Sequence, residues 1–104
     1  MKLKILVFIP TYNDTEFLRE MTEIVTSLPG NFTPLVVDDG STQAIDQNMV
    51  APGTLLTRIP TNFGLGAATH IAFDHAIRHR YDVVARLDSE GQPPVTNLPN
   101  LIKP

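Results

Sequence analysis

Four short apolar runs, each halting at polar or turn-forming residues, constrain this chain more than any other feature. Leu3 to Ile9 is almost continuously apolar and stops at Pro10. Leu35-Val36-Val37 stops at Asp38, Thr54 to Ile59 leads into a loop with Gly64 and Gly66, and Val83 to Leu87 stops at Asp88. The near-continuous run Leu3 to Ile9 reads as a strand covered on both faces, which is the situation of a parallel sheet, and the other three are shorter strand candidates.

Helical spacing fills the gaps between them. Phe17, Leu18, Met21, Ile24, Val25 and Leu28 recur on one helical face, with Asn13 and Glu16 as expected N-cap and N3 partner and Pro29-Gly30 as the stop. Ala44 to Met49 has weak helical character. Leu65, Ala68, Ala72, Phe73, Ala76 and Ile77 form a second amphipathic pattern. The order β-α-β-(α)-β-α-β, with connections long enough for right-handed crossovers, predicts an α/β fold: a Rossmann-like, open, mainly parallel sheet with helices on both faces.

With 104 residues there is room for one domain. The tail from Pro93 to Pro104 holds four prolines and has no visible core to pack against, so the expectation is a domain cut short at its C-terminal end. A net charge of −3 with scattered acids argues against a nucleic-acid or membrane footprint. With no cysteines, disulfide scaffolds, thiolate metal sites and cysteine nucleophiles drop out. The opening lysines imitate a signal peptide, but the apolar run before Pro10 is too short and no cleavage site follows. No stretch approaches the roughly 20 apolar residues of a membrane span. The expected location is cytoplasmic, with any membrane association supplied by the remainder of a longer protein.

In open α/β sheets, ligands bind outside the carboxyl ends of the strands. Those ends here read Pro10-Thr-Tyr-Asn-Asp14, Asp38-Asp-Gly-Ser41 and Asp88-Ser-Glu-Gly-Gln92. Asx-Gly-Ser is also ordinary turn chemistry, and Asp88 and Glu90 alone could be a solvated loop. Taken together the three segments point to a ligand. A carboxylate at a strand end can accept hydrogen bonds from a base or ribose, and two at i and i+2 can hold a hard divalent cation against a diphosphate. Tyr12 offers a flat wall for a base.

Ile5 to Asp14, Val36 to Thr42, Asn62 to Ala68 and Val83 to Gln92 resemble, in order and spacing, four motifs of the N-terminal half of family 2 glycosyltransferases of the GT-A fold. The third and fourth look most like the dolichyl- or polyprenyl-phosphate mannose or glucose synthase branch. The resemblance implies a single nucleotide-sugar-binding domain over residues 1–104, taking a UDP- or GDP-sugar for inverting transfer to a hydroxyl or lipid phosphate. It implies that Pro10, Thr11, Tyr12 and Asp14 line the nucleotide pocket, and that Asp39 with Asp38 recognises base or ribose. Asn62 and Gly64 would shape the pocket floor, while Asp88 and Glu90 hold Mn²⁺ or Mg²⁺ and the donor diphosphate. Two departures stand out: Glu90 where the family usually has Asp, and Gln92-Pro93 where it often has Gln-His. The family's catalytic base lies beyond residue 104, so this chain alone is expected to bind a donor without transferring its sugar.

Other readings compete. Gly64-Leu-Gly66, opening a helix with Asp88 downstream, imitates a dinucleotide fingerprint and suggests an oxidoreductase. Thr69 at the third glycine position, a long loop before Gly64 and the first strand's Pro-Thr-Tyr ending count against it. His75 and His79 lie one helical turn apart, but Ala76 stands where a zinc protease needs Glu. A non-catalytic α/β interaction module is the remaining alternative. An edge or apolar face left uncovered would favour a homodimer.

Overall fold

A computed structural model describes residues 2–61 and 64–88. The elements run β1 (Lys4–Thr11), α1 (Leu18–Ser27), β2 (Asn31–Asp39), a 3-10 turn (Gln47–Met49), β3 (Leu55–Ile59), α2 (Leu65–Arg78) and β4 (Val83–Arg86). Every strand pairing is parallel, and the sheet order is β3-β2-β1-β4. The expected open α/β sheet is therefore the architecture found.

Alternation along the strands sorts the core into two layers. Ile5, Val7 and Ile9 of β1 and Val36 of β2 pack with Leu18, Met21 and Val25 of α1. Leu6 and Phe8 of β1 and Leu35 and Val37 of β2 pack with Ala68, Ala72 and Ala76 of α2. The two helices thus cover opposite faces. On α1, fully buried Leu18 and Val25 each contribute about 1.5–3 kcal/mol of burial. On α2 three alanines one turn apart bring the helix close to the sheet.

Several boundaries differ from those the sequence suggests. Asn13 does not cap α1: the N-cap position is Phe17, without a side-chain cap bond. Asn13 instead adopts a left-handed φ of 59° and turns its side chain towards the loop after β2. β2 begins earlier than its apolar run, at Asn31, and contains Pro34. That proline faces Val7 of β1, while β3 joins β2 only from Leu35 onward, so the missing N–H falls where β2 has one strand neighbour. Pro10 is tolerated for the same reason, since β4 pairs with β1 only as far as Phe8. The weak helix of Ala44 to Met49 reduces to one 3-10 turn, capped by Asp46 Oδ1 accepting from the Asn48 amide at 2.8 Å.

The end of α2 is closed by Arg80, which adopts φ 60°. The Tyr81 amide donates to Ala76 O at 2.9 Å and the Arg80 amide to Ile77 O at 3.3 Å, a Schellman arrangement with arginine in the glycine position. Beside it, His75 and His79 stack with ring centroids 4.3 Å apart. Lys4 Nζ donates to His79 O at 2.6 Å and lies over the Tyr81 ring. Burial, then the neighbouring His79 and Lys4, hold the His75 pKa below 6.5, with Asp74 opposing. This cluster sits at the start of β1, the end of the sheet opposite the polar loops.

Candidate functional site

The chain order fixes where a ligand can enter. From β1 the chain moves through α1 to β2 and then β3 on one side. It then crosses through α2 to β4 on the other side of β1. The connections diverge between β1 and β4, and the crevice at such a switch point is the favoured ligand site of open α/β sheets. The β1 end carries Pro10 to Asp14. Asp88 follows two residues after β4, and the amide of Leu87 between them donates to Phe8 O at 3.0 Å.

The two aspartates at the end of β2 are divided between the faces of the sheet. Period-two alternation puts Asp38 with Val36 on the α1 side and Asp39 with Val37 on the α2 side. Asp38 is wholly buried. Its Oδ1 accepts from the Ser41 amide at 2.9 Å, and its Oδ2 accepts from the Ile45 amide at 3.0 Å and from Arg58 at 2.7 Å. Burial alone pushes the Asp38 pKa up. The Ile45 and Ser41 amides, the Ser41 hydroxyl and the Arg58 guanidinium outweigh it, holding the group below 3.8. Asp38 therefore organises the loop from within and does not face the crevice.

Asp39 is nearly as buried, at 6% exposure, but belongs to the other face. Its Oδ2 accepts from the Gly64 amide at 2.9 Å. Gly64 is the N-cap residue of α2 and has φ 88° and ψ 179°, a conformation essentially restricted to glycine. The carboxylate is thus held against the N-terminus of α2 at the mouth of the sheet.

The β1 loop is tied to the β2 loop through a reciprocal pair of bonds. The Asn13 amide donates to Ser41 Oγ at 2.9 Å, and Asn13 Oδ1 accepts from the Thr42 amide at 2.7 Å. The turn over Asn13 leaves Tyr12 half exposed and Asp14 partly buried. Thr11 is buried, with its hydroxyl donating to Ile9 O. A cleft of about 310 Å³ opens beside this junction, lined by Asn13, Thr15, Thr42, Gln43 and Met49.

Asp88 is exposed and its Oδ1 lies 3.5 Å from Arg86 Nε. Asn62 and Glu90 lie outside the described residues, and among those described no group of three or more His, Cys, Asp or Glu side chains could hold a metal ion. Two further contributors escape a reading of motifs. Arg58 bridges Asp38 and Ser41 O, and Asn13 acts as a loop tie. The signal for Arg58 was a charge inside an apolar strand, where parallel sheets demand a partner. Gly66 lies within the first turn of α2, which removes it from the tight strand-to-helix turn of a dinucleotide fingerprint.

A family model described as glycosyl transferase family 2 matches residues 6–104. An undecaprenyl-phosphate mannosyltransferase of Micrococcus luteus is 28% identical over 106 residues, covering 97% of this chain and 44% of that protein. A polyprenol monophosphomannose synthase of Mycolicibacterium smegmatis is 32% identical over 103 residues, covering 93% of this chain and 39% of that protein. The chain thus spans less than half the length of these relatives. The crystal structure of S. aureus TarS residues 1–349 superposes with a TM-score of 0.59 at 24% identity, covering 85% of this chain and 28% of that one. That likeness is one of fold. No helix among the described residues is long and apolar enough to cross a membrane.

Proposed function

The chain belongs to glycosyl transferase family 2, and on that premise we propose that it is the nucleotide-diphospho-sugar-binding part of an inverting transferase. One observation carries the reading: a buried carboxylate, Asp39, stands at a strand end against the N-terminus of α2, at the mouth of a parallel sheet with a switch point. Such an acceptor suits a base N–H or ribose hydroxyl of UDP or GDP.

Around it, Tyr12 supplies an exposed aromatic face for the base, with Pro10, Thr11 and Asp14 shaping the same wall. Gly64 and Asn62 are the residues proposed for the floor. Asp38 contributes from behind, by fixing the loop that carries Asp39. Asp88 and Glu90 are the proposed ligands of Mn²⁺ or Mg²⁺. A cation shared with a diphosphate needs only one or two protein carboxylates, and the exposed Asp88 is an oxygen donor of that class. When bound, the cation would stabilise negative charge on the departing nucleoside diphosphate. The names of the relatives support a polyprenyl phosphate as acceptor and a mannosyl donor.

Calorimetric titration with UDP and GDP, with and without Mn²⁺, tests the reading. Saturable, metal-enhanced binding that weakens at least tenfold in Asp39→Asn is expected, since one charged acceptor is removed from a buried site. Binding of NAD(H) in place of either nucleotide, or of none of them, defeats it.

A further inference from the structure

The geometry points to Arg58 as a positioning residue for nucleoside recognition, acting on Asp39 from the opposite face of the sheet. This rests on the nucleotide-binding reading above and adds to it a residue outside the motifs that suggested that reading.

Arg58 is the penultimate residue of β3 and stands in register with Asp38. Its guanidinium uses two arms: Nη1 donates to Asp38 Oδ2 at 2.7 Å, and Nη2 donates to Ser41 O at 3.1 Å. Ser41 is consequently held at three atoms. Its amide donates to Asp38 Oδ1, its carbonyl accepts from Arg58, and its hydroxyl oxygen accepts from the Asn13 amide. Residues 38 and 41 bracket Asp39 and Gly40, the latter at φ 75°. With both brackets fixed, the backbone of Asp39 has little freedom left, and its carboxylate is pre-aimed on the α2 side.

Arg58 shares the face of Asp38, so the sheet itself separates it from the side on which Asp39 works. Any effect on a nucleoside must pass through the loop. The guanidinium also balances the buried Asp38 charge, which would otherwise sit one residue from a second carboxylate. A planar fork matches this pair of acceptors with two separate, fixed N–H arms, whereas lysine offers a single ammonium nitrogen whose donors are not pre-set to that geometry.

The experiment is a double-mutant cycle on the chain, reading UDP and GDP affinity by calorimetry with Mn²⁺ and folding by circular dichroism. Arg58→Gln is expected to weaken binding by about tenfold, and Arg58→Lys to recover part of the loss. In an Asp39→Asn background the same Arg58 substitutions should change affinity by less than about twofold, because the group they position is already gone. Should Arg58→Gln fail to fold, Arg58→Lys carries the cycle by itself. Equal losses in both backgrounds, or unaltered affinity in the folded Arg58 variants, overturn the role of Arg58 while leaving the nucleotide site intact. Absence of binding by the unaltered chain overturns the nucleotide reading, and the role of Arg58 with it.

Discussion

Asp38 and Arg58 meet at 2.7 Å across the β2–β3 pair, the carboxylate wholly buried and the guanidinium side chain 38% exposed. The asymmetry matters for energetics. Arg58 can recover hydration if the pair is broken, whereas the amides of Ser41 and Ile45, which also depend on Asp38, are fixed in the fold.

Asp38→Ala is expected to cost about 2–4 kcal/mol, less than a fully enclosed pair would lose, because two buried donors are orphaned but the cation is not. Urea unfolding of the two proteins measures the difference. A cost under about 0.5 kcal/mol, the range of ordinary surface changes, would show that the loop does not depend on this carboxylate.

Acid should act through the same group. The Asp38 pKa lies below 3.8 in the folded protein and at 3.8 in an unfolded chain. Its stabilisation is therefore complete above 3.8 and disappears as pH falls through the folded value. Urea midpoints should decline across that window, and in Arg58→Gln the decline should end at a higher pH, since one lowering contact is absent. Midpoints that rise on acidification in this range contradict the assignment.

At the other end of the sheet the sign is tied to a histidine. Burial and the charges of His79 and Lys4 hold His75 below 6.5, so an unfolded chain takes up its proton first. Stability should be full above 6.5 and fall as pH drops below it towards the folded value. His79→Gln removes one repulsive neighbour, so the dependence in this window should become shallower. A steeper dependence in that variant would refute the coupling.

Two glycines near the start of α2 should respond oppositely to alanine. Gly64 has φ 88°, and no atom lies within 4 Å of an added Cβ, so Gly64→Ala suffers from backbone strain of about 1–3 kcal/mol. Any relaxation also pulls its amide from Asp39, so nucleotide affinity should drop with stability. Gly66 is helical with equally open space, and Gly66→Ala should gain about 0.5–1 kcal/mol. Thermal melts of both variants decide the matter, and matching signs would be inconsistent with this backbone.

Arg80→Gly should stabilise the chain by about 0.5–1 kcal/mol, the relief of a left-handed side chain set against the greater unfolded freedom of glycine. A melt unchanged or lowered would mean that the Arg80 side chain compensates its own strain.

The sheet and both long helices were legible because burial on two faces leaves apolar runs and one-sided burial leaves a helical period. Tertiary bonding was not legible. Asn13 has the composition of a cap, yet its side chain is drawn to Thr42, a partner 29 residues away in sequence. Pro34 reads as a strand breaker until the local absence of a second neighbour is known. At the site, the sequence could nominate Asp38 and Asp39 together. Only coordinates separate them, because the difference is which side of the sheet each one leaves.

That separation makes strand parity a heritable property of this protein. Inserting one residue between Asn31 and Val37, with the start of β2 held in register, would carry Asp38 to the α2 side and put Val37 in its place, leaving the anchor position without a carboxylate. Neither side chain would have changed, so a genetic screen scoring only substitutions would miss the lesion. In β2, length by itself encodes as much as chemistry does.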